Sequence, residues 1–179
     1  AGFAQLVRTA VRMLDNVLDV TMWPLPQQHE EARRKRRVGL GFTGLGDALV
    51  MLNLRYDSEP ARAMARRISE CMRDTAYDAS VDLAIERGAF PMLDTEQYLA
   101  APRFASRLPE EIKDKIPKHG IRNSHLLSIA PTGAVVNHSG ACACTACEAM
   151  RAIGARPRCF AVDSRISTRA AAPSEMLDE

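Results

Sequence analysis

The chain has 179 residues, 46% of them hydrophobic, with 24 Lys and Arg against 22 Asp and Glu for a net charge of +2. That size suits one domain with a real core, and the near-neutral balance argues against a nucleic-acid or membrane-surface binder. No apolar run reaches bilayer length, no leader with a charged start and apolar middle opens the chain, and the five cysteines are unevenly spaced. A cytoplasmic protein with reduced thiols is therefore expected rather than an exported disulfide framework. The first residue is alanine and the opening is already in helical rhythm, which suggests a piece of a longer polypeptide.

Phe3, Leu6, Val7, Ala10, Val11, Leu14 and Leu18 recur at three- and four-residue steps, with Arg8, Arg12, Asp15 and Asp19 on other faces. This predicts an amphipathic first helix, which Trp23-Pro24-Leu25-Pro26 ends. Residues 29–37, HEEARRKRR, place acids first and bases last, as a short helix prefers. From Val38, VGLGFTGLGDALVMLNL reads as strand, glycine turn and a helix beginning near Asp47. Ser58 as N-cap, Glu59 and Pro60 in the first turn and Gly88 beyond the end predict one long helix, a rod of roughly 29 residues and about 43 Å at 1.5 Å per residue. Met64, Ile68, Cys71, Met72, Thr75, Ala79 and Leu83 form its expected buried stripe.

Residues 89–120 mix prolines with helical fragments, including one opened by Pro109-Glu110-Glu111 and closed at Pro117. Gly120 then releases the chain into a strand at 121–130, whose Leu126, Leu127, Ile129 and Ala130 predict burial on both faces. Pro131, Thr132 and Gly133 stop that strand. They read either as an ordinary turn or as a nest of unpaired amides suited to phosphate or carboxylate. Helices alternating with strands point to a parallel sheet or barrel. Beyond Gly133 the Ala-, Arg-, Ser- and Cys-rich sequence has no sustained period, so no structure is assigned and a disordered tail is expected.

Three motifs invite a function. Gly39-Leu-Gly41-Phe-Thr-Gly44 fits a dinucleotide fingerprint, but Arg33-Arg-Lys-Arg-Arg37 precedes it where a buried strand is needed and no second strand ends in an acid about twenty residues on. Glycines for close helix–strand packing are the better reading. The basic run could meet nucleic-acid phosphates, yet Glu30 and Glu31 flank it and no aromatic platform lies nearby, which favours a solvated helix face. Cys142, Cys144 and Cys147, with His138 upstream, offer soft ligands for zinc or a redox pair, but three thiols within six positions lack the paired-turn spacing of a zinc module.

The stretches MLDNVLDVTMWPLPQQ, KRRVGLGFTGLGDALVMLNLRYDSE, ERGAFPML and HGIRNSHLLSIAPTG, in this order, resemble the C-terminal part of the large catalytic chain of ribonucleotide reductases, adenosylcobalamin-dependent branch, over residues 1–133. The resemblance implies a fragment of a ten-stranded α/β barrel, helix-rich, with an irregular C-terminal tail over 134–179. It implies a ribonucleoside diphosphate substrate whose 2′-hydroxyl is replaced by hydrogen, adenosylcobalamin as cofactor, thiyl-radical chemistry and a thioredoxin-type reductant, with the remainder of the catalytic chain as a partner and neither membrane nor nucleic acid. It places the substrate's phosphates on Pro131, Thr132, Gly133 and Ala134. The radical cysteine, its carboxylate and the reducing cysteines belong to a region preceding the matched one, so no catalytic or metal-binding residue is assigned here and the chain alone is expected to be inactive. An incomplete barrel would bare Phe3, Leu6, Val11 and Leu14 and promote association. The resemblance stops abruptly after Gly133, which a shifted reading frame would explain. A noncatalytic helical interaction domain and a small zinc-binding tail module are the rival readings.

Overall fold

The structure is a computed structural model, and it describes residues 2–129. It is helix-rich. Helix α1 spans Gly2–Val20, α2 Pro26–Lys35, α3 Leu45–Met51, α4 Glu59–Arg87, α5 Thr95–Leu99 and α6 Glu110–His119, with a short 3-10 turn at Phe104–Arg107 between the last two. The tail and its cysteines lie outside the described residues.

Helix α4 forms where capping and composition agree. The Ser58 side chain accepts a hydrogen bond from the Ala61 amide, Pro60 sits in the first turn, and Gly88 at φ 86° ends the helix. Its second half carries the core, where Met72, Ala76, Tyr77, Val81 and Leu83 pack with Val7 and Val11 of α1 and Ile112 and Ile116 of α6. Cys71 is exposed rather than part of this stripe. One residue is 100° of helix, and the buried face is set by Met72, its neighbour.

Helix α1 lies along α4 with the expected Val7 and Val11 in the core, but its exposed surface differs from the sequence expectation. Leu6 is exposed as expected, but Val11 is fully buried, and Met13, Val17 and Val20 make up the rest of the bared apolar surface. Phe3 packs partly against the core. Asp15, expected on a polar outer face, is also fully buried. The flank of α1 is tied to α4 by ion pairs from Arg8 to Asp78 and Asp82 and from Arg12 to Glu86. Burial pushes Asp78 up, but Lys115 and Arg8 hold it net below the usual carboxylate range. The Arg12 hydrogen bond draws Glu86 down to about 2, and that from Arg36 lowers Asp19. Carboxylates with depressed folded values contribute stability above their unfolded pKa near 4 and lose it as pH falls through the folded value. The melting temperature should therefore hold from pH 7 to about 5 and fall between about pH 4 and 2. Thermal melts across that range check this, and a flat profile would contradict the role of these pairs.

Two helix ends depart from expectation. Helix α2 starts at Pro26 and stops at Lys35, because Arg36 takes a left-handed conformation at φ 43° as its C-cap. Helix α6 runs through Pro117 to His119, closed by the Gly120 amide bonding to the Ile116 carbonyl. Pro117 cannot donate to the Lys113 carbonyl and its ring crowds that turn, but the helix ends two residues later, so the cost is confined to its last turn.

Two extended segments run side by side, residues 38–42 and 121–129, joined by a parallel bridge between Leu40 and Leu127. The amides of Val38 and Leu40 donate to the carbonyls of His125 and Leu126 at 3.0 and 2.7 Å, and Ser128 returns a bond to Leu40 at 3.0 Å. A parallel pair joined through intervening helices is the unit from which α/β barrels are built. Leu126 is buried, but Ile129 is fully exposed, so the second segment is covered over its middle and not at its end.

Candidate functional site

The buried end of this strand pair is held by a polar hub. Asp15 Oδ1 accepts from Arg36 Nε at 2.9 Å, Arg36 Nη2 at 2.7 Å and Asn123 Nδ2 at 3.0 Å. Asp15 Oδ2 takes Arg87 and Arg122, each at 3.3 Å. Asn123 completes its set with Ser80, donating its amide to the serine hydroxyl at 3.1 Å and accepting that hydroxyl's proton on Oδ1 at 2.9 Å. Arg122 Nη1 also donates to the carbonyls of Arg87, the last residue of α4, and of its cap Gly88. A buried carboxylate is tolerated only when fully paired, and here α1, the end of α2, α4 and the start of the second strand all converge on it. Arg36, read from sequence as part of a solvated basic face, is 4% exposed. Its left-handed backbone turns it off the helix into the hub.

At the opposite end of the pair Ser128 and Ile129 are exposed among the described residues. Parallel strands present ligands at their carboxyl ends, and here those ends are Phe42-Thr43-Gly44 and Ser128-Ile129. A Cβ built on Gly39 would stand 2.7 Å from the Ser128 hydroxyl, and one on Gly41 2.6 Å from the Ser128 carbonyl oxygen. The glycines therefore permit close strand–strand approach, where the sequence suggested helix–strand packing. Gly44, at φ 76°, makes the turn into α3. His125 lies beside Arg37, and burial together with that positive charge lowers its pKa. The Tyr98 hydroxyl donates to the Ser124 carbonyl at 3.3 Å, steadying the second strand from α5.

The sequence-predicted phosphate residues, Pro131, Thr132, Gly133 and Ala134, lie outside the described residues, as do His138, Cys142, Cys144 and Cys147. The second strand delivers the chain to within two residues of Pro131. Among the described residues no group of three His, Cys, Asp or Glu is placed to hold a metal ion. No helix among them is long and apolar enough to cross a membrane. A cavity of about 470 Å³ opens between the end of α1, Trp23 and α2, with Lys35 and Arg37 at its edge. Trp23 Nε1 is buried there without a hydrogen-bond partner among the described residues.

The hub was missed in the sequence because Asp15 and Arg36 looked like ordinary surface charges. The available signal was Asp15 itself, one turn on from the apolar Val11, on the same face as Val7 and Val11.

The family described as ribonucleotide reductase, barrel domain, matches residues 1–153. The chain belongs to that family. The match continues past Gly133, so the change in composition there falls inside the matched range. Among its relatives is a vitamin B12-dependent ribonucleoside-diphosphate reductase of Mycobacterium tuberculosis, 38% identical over 131 residues, which cover 73% of this chain and 16% of the relative. The ribonucleoside-diphosphate reductase subunit alpha of Treponema pallidum is 33% identical over 133 residues, covering 72% and 16%. The large chain of Schizosaccharomyces pombe is 33% identical over 141 residues, covering 71% and 17%. The chain thus spans about a sixth of the length of these ribonucleotide reductase relatives.

Proposed function

We propose that this chain forms part of the catalytic barrel of an adenosylcobalamin-dependent ribonucleoside-diphosphate reductase, supplying deoxyribonucleotides in the cytoplasm. The observation that carries the reading is the parallel pair, which runs its second strand toward Pro131-Thr132-Gly133-Ala134. At the carboxyl end of such a strand, main-chain amides orient a substrate's diphosphate without needing particular side chains. In this reading residues 1–133 contribute strands and helices to a ten-stranded barrel.

Adenosylcobalamin, when bound, supplies the homolysis that starts the radical chemistry. The cavity beside α2, about 470 Å³ and lined by Trp23, Glu31, Lys35 and Arg37 among others, is drug-sized and does not fit a corrin. Cys71 sits exposed on α4. Radical formation and re-reduction by a thioredoxin-type protein thus belong, in this reading, to the remainder of the catalytic chain. The share assigned to this chain is to bind and orient the diphosphate.

Two measurements on the 179-residue chain test this together. Incubated with adenosylcobalamin, a dithiol and a ribonucleoside diphosphate, it should form no deoxynucleotide, while the amide resonances of Thr132 and Gly133 shift on adding the nucleotide. Steady turnover by the chain alone, or nucleotide-induced shifts confined to residues 33–37, would overturn the assignment.

A further inference from the structure

We infer that the outer face of α1 is a self-association surface, on which a second copy of this chain lays its own α1 in the antiparallel sense. The inference goes beyond the functional reading and does not depend on it. Helix α1 carries two adjacent apolar rows. Val7 and Val11 belong to the inner row and sit in the core with residues of α4. Beside it runs an outer row, Phe3, Leu6, Ala10, Met13, Val17 and Val20, in alternating steps of three and four with no charged residue in it. Leu6, Met13, Val17 and Val20 of that row are 42%, 57%, 47% and 77% exposed. Alternating steps of three and four make the seam by which one helix packs along another, whereas a helix face left to solvent normally carries charged and polar groups.

The outer row is complementary to its own reverse. Turned end for end about a point between Ala10 and Met13, it sets Phe3 beside Val20, Leu6 beside Val17 and Ala10 beside Met13 of the second copy, so that each larger side chain meets a smaller one. A parallel pairing would crowd Phe3 on Phe3 and Met13 on Met13 and leave a void between the two Ala10 side chains. Charge does not oppose the reversal. Gln5, Thr9 and Asn16, exposed and uncharged, follow the row along its polar side, while Arg8 and Arg12 are turned onto Asp78, Asp82 and Glu86 of α4. A strip about 25 Å long and one helix wide covers on the order of 1,000 Å² for the pair, the lower limit for a specific interface. That area suits a reversible dimer, with a Kd on the order of 10–100 μM.

The test is sedimentation velocity on the 179-residue chain from about 1 to 300 μM, under reducing conditions so that thiols do not link copies. The wild-type chain should pass from monomer to dimer across that range. Leu6→Lys and Val17→Glu each bring one charge into an apolar contact, and each should raise the dissociation constant at least about tenfold, with the helical melt retained by far-ultraviolet circular dichroism. The double variant Leu6→Lys with Val17→Glu should return to within about threefold of wild type, because the antiparallel seam then sets lysine against glutamate at both ends. Ile85→Lys, on the 60% exposed Ile85 of α4, should leave association unchanged. A wild-type chain that stays monomeric, a double variant no better than the singles, equal weakening by Ile85→Lys, or loss of the helical melt in either single variant would each overturn the inference.

Discussion

Replacing Arg36 with alanine should destabilise the fold by about 3–5 kcal/mol, the usual cost of breaking a buried pair from one side. The guanidinium supplies two of the donors on Asp15 Oδ1 and a third to Asp19 at 2.8 Å. Asp15 is fully buried, so no water stands ready to replace them. Arg87 and Arg122 remain on Oδ2 at 3.3 Å, which places the expected loss toward the lower end of that range. Lysine is no conservative substitute, because one ammonium cannot reproduce the planar fork. Asp15→Ala should cost a similar amount, since it leaves three guanidiniums facing one another with fewer anions between them. In a double-mutant cycle by urea denaturation, Asp15→Ala with Arg36→Ala should cost at least about 1 kcal/mol less than the sum of the singles. Additivity within about 0.5 kcal/mol would show that the two side chains act independently and that the hub is not one unit.

The same hub explains where the sequence was transparent and where it was not. Helix α4 was legible to the residue because its signals are local: a serine cap, a proline in the first turn and a glycine past the end. Local rules also found α1, whereas the strands expected from Val38 and over 121–130 are, among the described residues, two extended segments joined by one isolated parallel bridge between Leu40 and Leu127. Tertiary choices were opaque. Cys71 and Met72 are equally apolar neighbours, and only packing against α1 and α6 decides which faces inward. Asp15 and Arg36 are separated by 21 residues and carry no pattern that pairs them, so burial of both follows from chain paths that periodicity cannot supply. Arg36 further depends on a left-handed backbone, uncommon for arginine and invisible to helix propensity. For the candidate site, the glycines at 39 and 41 were visible as residues needing close approach, but the partner that approaches, Ser128, lies 87 residues beyond Gly41 and was not.

Gly120→Ala should be far more damaging than Gly88→Ala, although both glycines end helices with positive φ. Gly88 has φ 86° and ψ 154°, and Gly120 has φ 76° and ψ −173°. Both lie in or beside a region almost restricted to glycine, where a side chain costs on the order of 1–3 kcal/mol. Space separates them. An added Cβ at Gly88 meets nothing within 4 Å, whereas at Gly120 it would sit 2.6 Å from the Ala89 Cβ and 3.5 Å from Leu93 Cδ2. Ala89 has no rotamer to surrender, so the backbone must shift, and overpacking of that kind adds about 1–3 kcal/mol. The shift would fall on the Phe90 amide, which bonds the Ile121 carbonyl at 3.1 Å and pins the entry to the second strand. Urea denaturation should therefore show Gly120→Ala losing at least about 1 kcal/mol more than Gly88→Ala. Ala89→Gly should recover that excess while leaving the conformational part. Equal losses at the two glycines would mean that backbone conformation alone sets the cost, and that the strand leading to Pro131 is not fixed by the contact between Gly120 and Ala89.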